Sequence, residues 1–278
     1  KVDIRVCYGS TSSTNTYLAN CPGISTSSQA GREYTSGLKE YGTRGALPTN
    51  MSGKVVMFDY GLNLLQGNQD YNFNGSKVLV TGSYTSSNAA RIYGQSGGTE
   101  LYAHNSEWIG LATNPQGEAQ GFQLGYWGRN SLVPDIQNST LSGISTIATN
   151  YGSRGWGWWS TSVWQADFFN IQNNTITQYT DAEYSYSYTD MCLNSGVQNT
   201  IIRNNILKDC AVGTFFMRTS YSYQHPSSLY GADGAIVDGN TFIDSDYLDT
   251  WFFFSYTNDA VVSNNTYKGS TTPNYNVY

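Results

Sequence analysis

The sequence predicts an all-β chain folded as a single right-handed parallel β-helix, a solenoid of stacked coils. Three observations predict it: a short pattern recurs six times, the copies are spaced by intervals of coil length, and another strand-like segment falls between successive copies. The pattern is a run of apolar residues, two small polar residues that are usually Asn, and an apolar residue one step later. It reads "AHNSEWI" (103–109), "IQNSTL" (136–141), "IQNNTI" (171–176), "IIRNNIL" (201–207), "IVDGNTFI" (236–243) and "VVSNNTY" (261–267).

Taking the second polar position as the register gives Ser106, Ser139, Asn174, Asn205, Asn240 and Asn265, separated by 33, 35, 31, 35 and 25 residues. Such intervals fit one coil plus loops of variable length. Between the copies lie "FQLGYW" (122–127), "WGWWSTSVW" (156–164), "DMCLN" (190–194), "GTFFM" (213–217) and "TWFFFSY" (250–256), so each coil has several strands joined by corners. A tight bend between short strands wants a residue that tolerates a left-handed backbone, and Asn does so while its amide bonds neighbouring backbone groups. Stacked at the inter-strand spacing of roughly 4.8 Å, successive amides can also bond one another. Asn174, Asn205, Asn240 and Asn265 are the expected ladder.

The repeat resembles the "xIxxNxI" pattern of the pectin-lyase-like superfamily of right-handed parallel β-helices. The resemblance covers roughly residues 101–268, with "KVVMF" (54–58) and "KVLVTG" (77–82) as earlier coils. It implies one domain over 1–278: an irregular N-terminal coil or cap region (1–53), stacked coils (54–268) and a C-terminal tail (269–278). The competing architecture, an antiparallel sandwich, would show turn dipeptides every 8–12 residues or so. Asn-Gly occurs only at Asn74-Gly75, and Asp-Gly only at Asp233-Gly234 and Asp238-Gly239.

Composition bounds the partners. Charged residues are 12% of the chain, against about a quarter in an ordinary soluble domain, and small polar residues and Tyr fill the surface quota instead. A net charge of -6 without a basic cluster leaves nothing to neutralise a row of phosphates, which argues against nucleic acid. The richest apolar run, "TWFFFSY", is strand length, so no membrane span is expected. The chain starts at Lys1 rather than Met, which reads as removal of an export signal or as trimming.

Four cysteines allow three connectivities, of which the local pairings Cys7 with Cys21 and Cys192 with Cys210 are expected; free thiols are the alternative. None forms a CxxC metal or redox pattern. Glycosylation sequons stand at Asn50, Asn74, Asn138, Asn173 and Asn264, although a chain this rich in Asn, Ser and Thr produces chance matches.

Chemistry is sparse. Lyases of the resembled superfamily use calcium-binding acids with an Arg or Lys base, and its hydrolases use two or three nearby carboxylates. The paired-Asp and Gly-His-Gly strings of pectate lyases and polygalacturonases are absent. The densest acidic group is Asp244, Asp246 and Asp249; alternation puts Asp244 and Asp246 on one face, as a cation site or carboxylate pair, or simply on a solvated loop. Asp181, Glu183 and Asp190 interleave with Tyr184, Tyr186 and Tyr188, in a sugar-contacting loop or a packing surface. His104 flanks the first corner, His225 precedes Pro226, and Arg203 reads as an outward strand residue. Trp127, Trp156, Trp158, Trp159 and Trp164 could stack on sugars, but Trp at this spacing is more often core.

The ends decide the functional expectation. A solenoid must cover its terminal coils. Here the start, "KVDIRVCY" (1–8), alternates like a strand, the finish carries no amphipathic helix, and only 35–47 offers a short cap helix. The expectation is a secreted or cell-surface structural protein whose β-helical subunits associate with copies of themselves into a fibre, sheath or surface layer, without a cofactor. The second reading is a polysaccharide-binding or -cleaving β-helix of tailspike or lyase type, with calcium if it is a lyase.

Overall fold

The structure, a computed structural model, describes residues 32–34, 49–58, 62–65, 69–83, 91–94, 99–113, 122–124, 132–149, 168–178, 191–195, 199–210, 212–217, 234–243, 250–255, 259–269 and 274–277. Among them every regular element is a strand, and no helix is long and apolar enough to cross a membrane. The early strands are β1 (Arg32–Tyr34), β2 (Val55–Phe58), β3 (Leu62–Leu65), β4 (Asp70–Asn72), β5 (Lys77–Ser83), β6 (Arg91–Gly94), β7 (Thr99–His104) and β8 (Glu107–Thr113). The middle of the chain supplies β9 (Phe122–Leu124), β10 (Leu132–Gln137), β11 (Thr140–Thr149), β12 (Phe169–Gln172), β13 (Thr175–Gln178), β14 (Met191–Ser195), β15 (Thr200–Arg203) and β16 (Ile206–Lys208). The last are β17 (Val212–Met217), β18 (Ile236–Asp238), β19 (Thr241–Ile243), β20 (Thr250–Ser255), β21 (Val261–Ser263), β22 (Thr266–Lys268) and β23 (Asn274–Val277).

These strands form two sheets, and among the described pairs all are parallel except β1 with β2. That pattern removes the antiparallel sandwich. The seven-stranded sheet runs β4-β7-β10-β12-β15-β18-β21, each strand preceding an Asn- or Gly-containing corner. The sixteen-stranded sheet carries the strands that follow the corners, β2-β5-β8-β11-β13-β16-β19-β22, with β1 on its edge. Two further runs, β3-β6-β9 and β14-β17-β20-β23, join it through β11. β11 serves two sets of neighbours: Thr140–Ser142 pair with β8 and, together with Ile144, with β13, whereas Ile144–Ile147 pair with β9 and Ile147–Thr149 with β14. The register shifts beside Gly143, whose φ of 68° is a left-handed conformation that glycine adopts without a Cβ penalty.

The period-2 alternation of the sequence sorts side chains by face. On one side of the corner, Ala103, Ile136, Ile171, Ile202, Val237 and Val262 stand in one row by strand register. On the other, Val78, Trp108, Leu141, Ile176, Leu207, Phe242 and Tyr267 form a second. All but the last residue of each row are buried in one core. Each such side chain gains on the order of 1.5–3 kcal/mol on leaving water, which makes these rows the main force stacking the copies.

The segments 1–8, 35–47 and 156–164, for which strands or a cap helix were expected, lie outside the described residues.

Candidate functional site

The most ordered polar chemistry lies at the corner between the two rows. Its first residue takes a left-handed backbone in every copy: Asn105, Asn138, Asn173, Asn204, Gly239 and Asn264 have φ between 51° and 68°, and Gly53 and Gly75 repeat it earlier at 69°. The second residue turns inward. Asn174 Nδ2 donates to Asn205 Oδ1 at 3.1 Å, Asn205 Nδ2 to Asn240 Oδ1 at 3.0 Å, and Asn240 Nδ2 to Asn265 Oδ1 at 2.9 Å. Each Oδ1 also accepts the backbone N–H of the preceding ladder residue. Each Nδ2 further bonds a carbonyl of an earlier copy: Ile136 from Asn174, Ile171 from Asn205, Ile202 from Asn240 and Val237 from Asn265. Asn174, Asn205 and Asn240 are no more than 2% exposed, so these amides satisfy backbone groups that water cannot reach.

The column continues with serine. Ser139 Oγ lies 3.1 Å from Ser106 Oγ, accepts from Ser106 N–H and donates to the Ala103 carbonyl, while Ser76 Oγ donates to the Met51 carbonyl. Trp108 Nε1 donates to Ser106 Oγ at 2.9 Å, and its ring packs against Phe73 and Phe122. Ser76 did not figure in the sequence reading, and Trp108 stood there only as the apolar residue of the first copy. The string Asn74-Gly75-Ser76, followed by Val78, carries the same polar-polar-x-apolar signal.

A second cluster lies on the outer face of the seven-stranded sheet. Register places Tyr102, Asp135, Asn170, Ile201, Ile236 and Val261 in one row, and His104, Gln137, Gln172, Arg203, Asp238 and Ser263 in the next. Asp135 Oδ1 accepts from Gln137 Nε2 and Asn170 Nδ2, both at 2.8 Å, and Gln172 Nε2 donates to Asn170 Oδ1. His104 Nε2 lies 3.0 Å from Asp135 Oδ2, close enough for an ion pair but without hydrogen-bond geometry. The Tyr102 hydroxyl donates to Glu100 Oε2. That bond, then burial and the charges of Glu100, Asp70 and Asp135, push the Tyr102 phenol well above the usual tyrosine range. Farther along, Asp238 accepts from Ser263 Oγ and Asn264 Nδ2 and pairs with Arg203 Nε at 3.4 Å. The two hydrogen bonds first, and the guanidinium after them, hold its carboxyl below the ordinary range. This face offers an aromatic ring, amides and carboxylates, a set suited to sugar hydroxyls. Asp135 is fixed on this face through its Oδ1 by Gln137 and Asn170.

The other residues singled out from sequence fall as follows. Cys192 and Cys210 form a disulfide across 18 residues, with Cα atoms 5.6 Å apart. Of the sequons, Asn50, Asn138, Asn173 and Asn264 are exposed and Asn74 is half-buried. Cys7, Cys21, Asp181, Glu183, Asp190, His225, Asp244, Asp246, Asp249 and the five Trp residues of 127–164 lie outside the described residues. Among the described residues no group of three His, Cys, Asp or Glu side chains could hold a metal ion. No family model, curated protein or solved structure matches the chain.

Proposed function

We propose that the chain is a secreted, right-handed parallel β-helix of the pectin-lyase-like kind, and that it serves as a structural subunit associating with copies of itself outside the cell. The observation that carries this reading is the edge formed by β21 and β22. Val261 and Val262 are 53% and 44% exposed there, whereas Val237, one copy earlier in the row of Val262, is fully buried. An open parallel edge with apolar side chains is a template for another chain. The Cys192–Cys210 bond supports an oxidising compartment. The test is sedimentation and electron microscopy of the native protein, with and without reductant. Self-associated material, from a discrete dimer to regular fibres, sheets or tubes, is the expected outcome, and a discrete monomer would refute the reading.

The second reading, a polysaccharide-binding or -cleaving β-helix, draws on the face of Glu100, Tyr102, His104 and Asp135. It predicts retention on an acidic or neutral polysaccharide matrix that Tyr102→Ala weakens. If the chain cleaves, Asp244→Asn or Asp246→Asn should abolish the activity.

A further inference from the structure

We infer that the β21–β22 edge pairs with the same edge of a second copy across a two-fold axis, in an antiparallel register that sets Val262 opposite Asn265 of the partner subunit. This deepens the self-association reading and rests on it, because it names the contact.

The argument starts from two backbone groups left over at that edge. In the inner copies the carbonyl of the inward residue before the corner accepts a ladder amide from the next copy, as Val237 does from Asn265. Each ladder residue's N–H donates to the next Oδ1, as Asn240 does to Asn265. Val262 holds the equivalent carbonyl and Asn265 the equivalent N–H, and among the described residues no further amide meets either. Both groups point out of the same edge. An antiparallel pair of directly opposed residues exchanges two N–H···O bonds, so Val262 and the partner's Asn265 would satisfy each other, twice over by symmetry.

Side-chain facing selects the same register. Ala260 and Tyr267 pack against the core, Val262 continues the buried row and Asn265 the ladder, whereas Asp259, Val261, Thr266 and Lys268 are exposed. Antiparallel pairing must oppose inward residues with inward ones. Setting Val262 against the partner's Asn265 sets Ala260 against the partner's Tyr267 and Val261 against the partner's Thr266. It also brings Asp259 opposite Lys268 of the partner subunit. Thus a carboxylate and an ammonium, neither with an ion-pair partner among the described residues, meet at both ends of the contact. An antiparallel partner has a precedent in the molecule, because β1 already pairs antiparallel on the far edge of the larger sheet. A contact between identical edges closes on itself, so it yields a dimer, and any extended assembly grows from dimers through other surfaces.

Charge reversal tests the register. Asp259→Lys sets like charges against Lys268 at two places, and Lys268→Asp does the same with Asp259. Each variant alone should dimerise on the order of 10- to 100-fold more weakly in sedimentation equilibrium at low salt. An equimolar mixture of the two should regain wild-type affinity, because both contacts again join opposite charges. On the unaltered protein, carbodiimide coupling of mixed light- and heavy-isotope chains should join Asp259 of one chain to Lys268 of another. Loss in each variant with recovery on mixing, together with that cross-link, supports the pairing. Variants that associate as the wild type does, a mixture that fails to recover, or absence of the cross-link overturns the two-fold register while leaving self-association standing. A wild-type chain that stays monomeric overturns both.

Discussion

Replacing Asn205 by Ala tests whether the buried amides hold the copies together. Asn205 is 1% exposed, and its side chain satisfies the N–H of Asn174 and the carbonyl of Ile171, at 3.0 and 2.8 Å. The truncation leaves both without a partner and out of reach of water, and a buried orphan costs about 1–3 kcal/mol, so the loss should be about 2–6 kcal/mol. Asn240 keeps its bond from Asn205 N–H, which limits the damage to one side. Asn205→Ser is the informative control. Ser139 shows one hydroxyl serving both purposes, accepting from Ser106 N–H and donating to the Ala103 carbonyl. Serine at 205 should therefore retain both backbone partners and lose about 1–2 kcal/mol for the missing side-chain bonds and volume. Urea titrations of the three proteins give the energies, and hydrogen exchange at Asn174 N–H locates the effect. A loss below about 1 kcal/mol for the alanine variant, or equal losses for serine and alanine, would refute the reasoning.

Other perturbations follow from the same geometry. Breaking the Cys192–Cys210 bond with a double Ser variant frees a loop of 18-residue separation and should cost about 3 kcal/mol in the same titration. A Cβ at Gly110 would lie 2.2 Å from the Gly143 carbonyl oxygen and 2.7 Å from Phe122, so Gly110→Ala should destabilise by about 1–3 kcal/mol or more; a neutral result would mean that β8 and β11 move apart freely. The Asp238 carboxyl, lowered in the folded protein by Ser263, Asn264 and Arg203, favours folding at pH values above the unfolded carboxylate pKa of about 4 and loses that contribution as pH falls through its own lower value. Titration followed by NMR should show Asp238 below its ordinary range, and Ser263→Ala should move it back up.

The ladder was legible because a tight corner leaves few residue choices. Asn, Asp and Gly hold the positive-φ positions among the described residues, and every copy of this corner uses Asn or Gly, so the corner marks the sequence even where strands and loops do not. Asn174, Asn205, Asn240 and Asn265 could therefore be aligned by subtraction alone. Ser76 was harder to see because serine reaches the same carbonyl with a shorter side chain and is common everywhere in this chain. The outer-face cluster was not legible, since Tyr102 and Asp135 become neighbours only once the copies are laid in register, after which the 33-residue offset places them side by side. The division of β11 at Gly143 had no sequence sign beyond one glycine among 29.

The amides also give the stack a direction along the chain. Asn205 reaches back to the Ile171 carbonyl, Asn240 to Ile202 and Asn265 to Val237, so each copy is completed by the residue that seals it from the following one. A chain emerging from the ribosome N-terminus first would close these carbonyls one after another, each new asparagine locking the turn already laid down. Synthesis and the sealing of the copies can then run in the same direction.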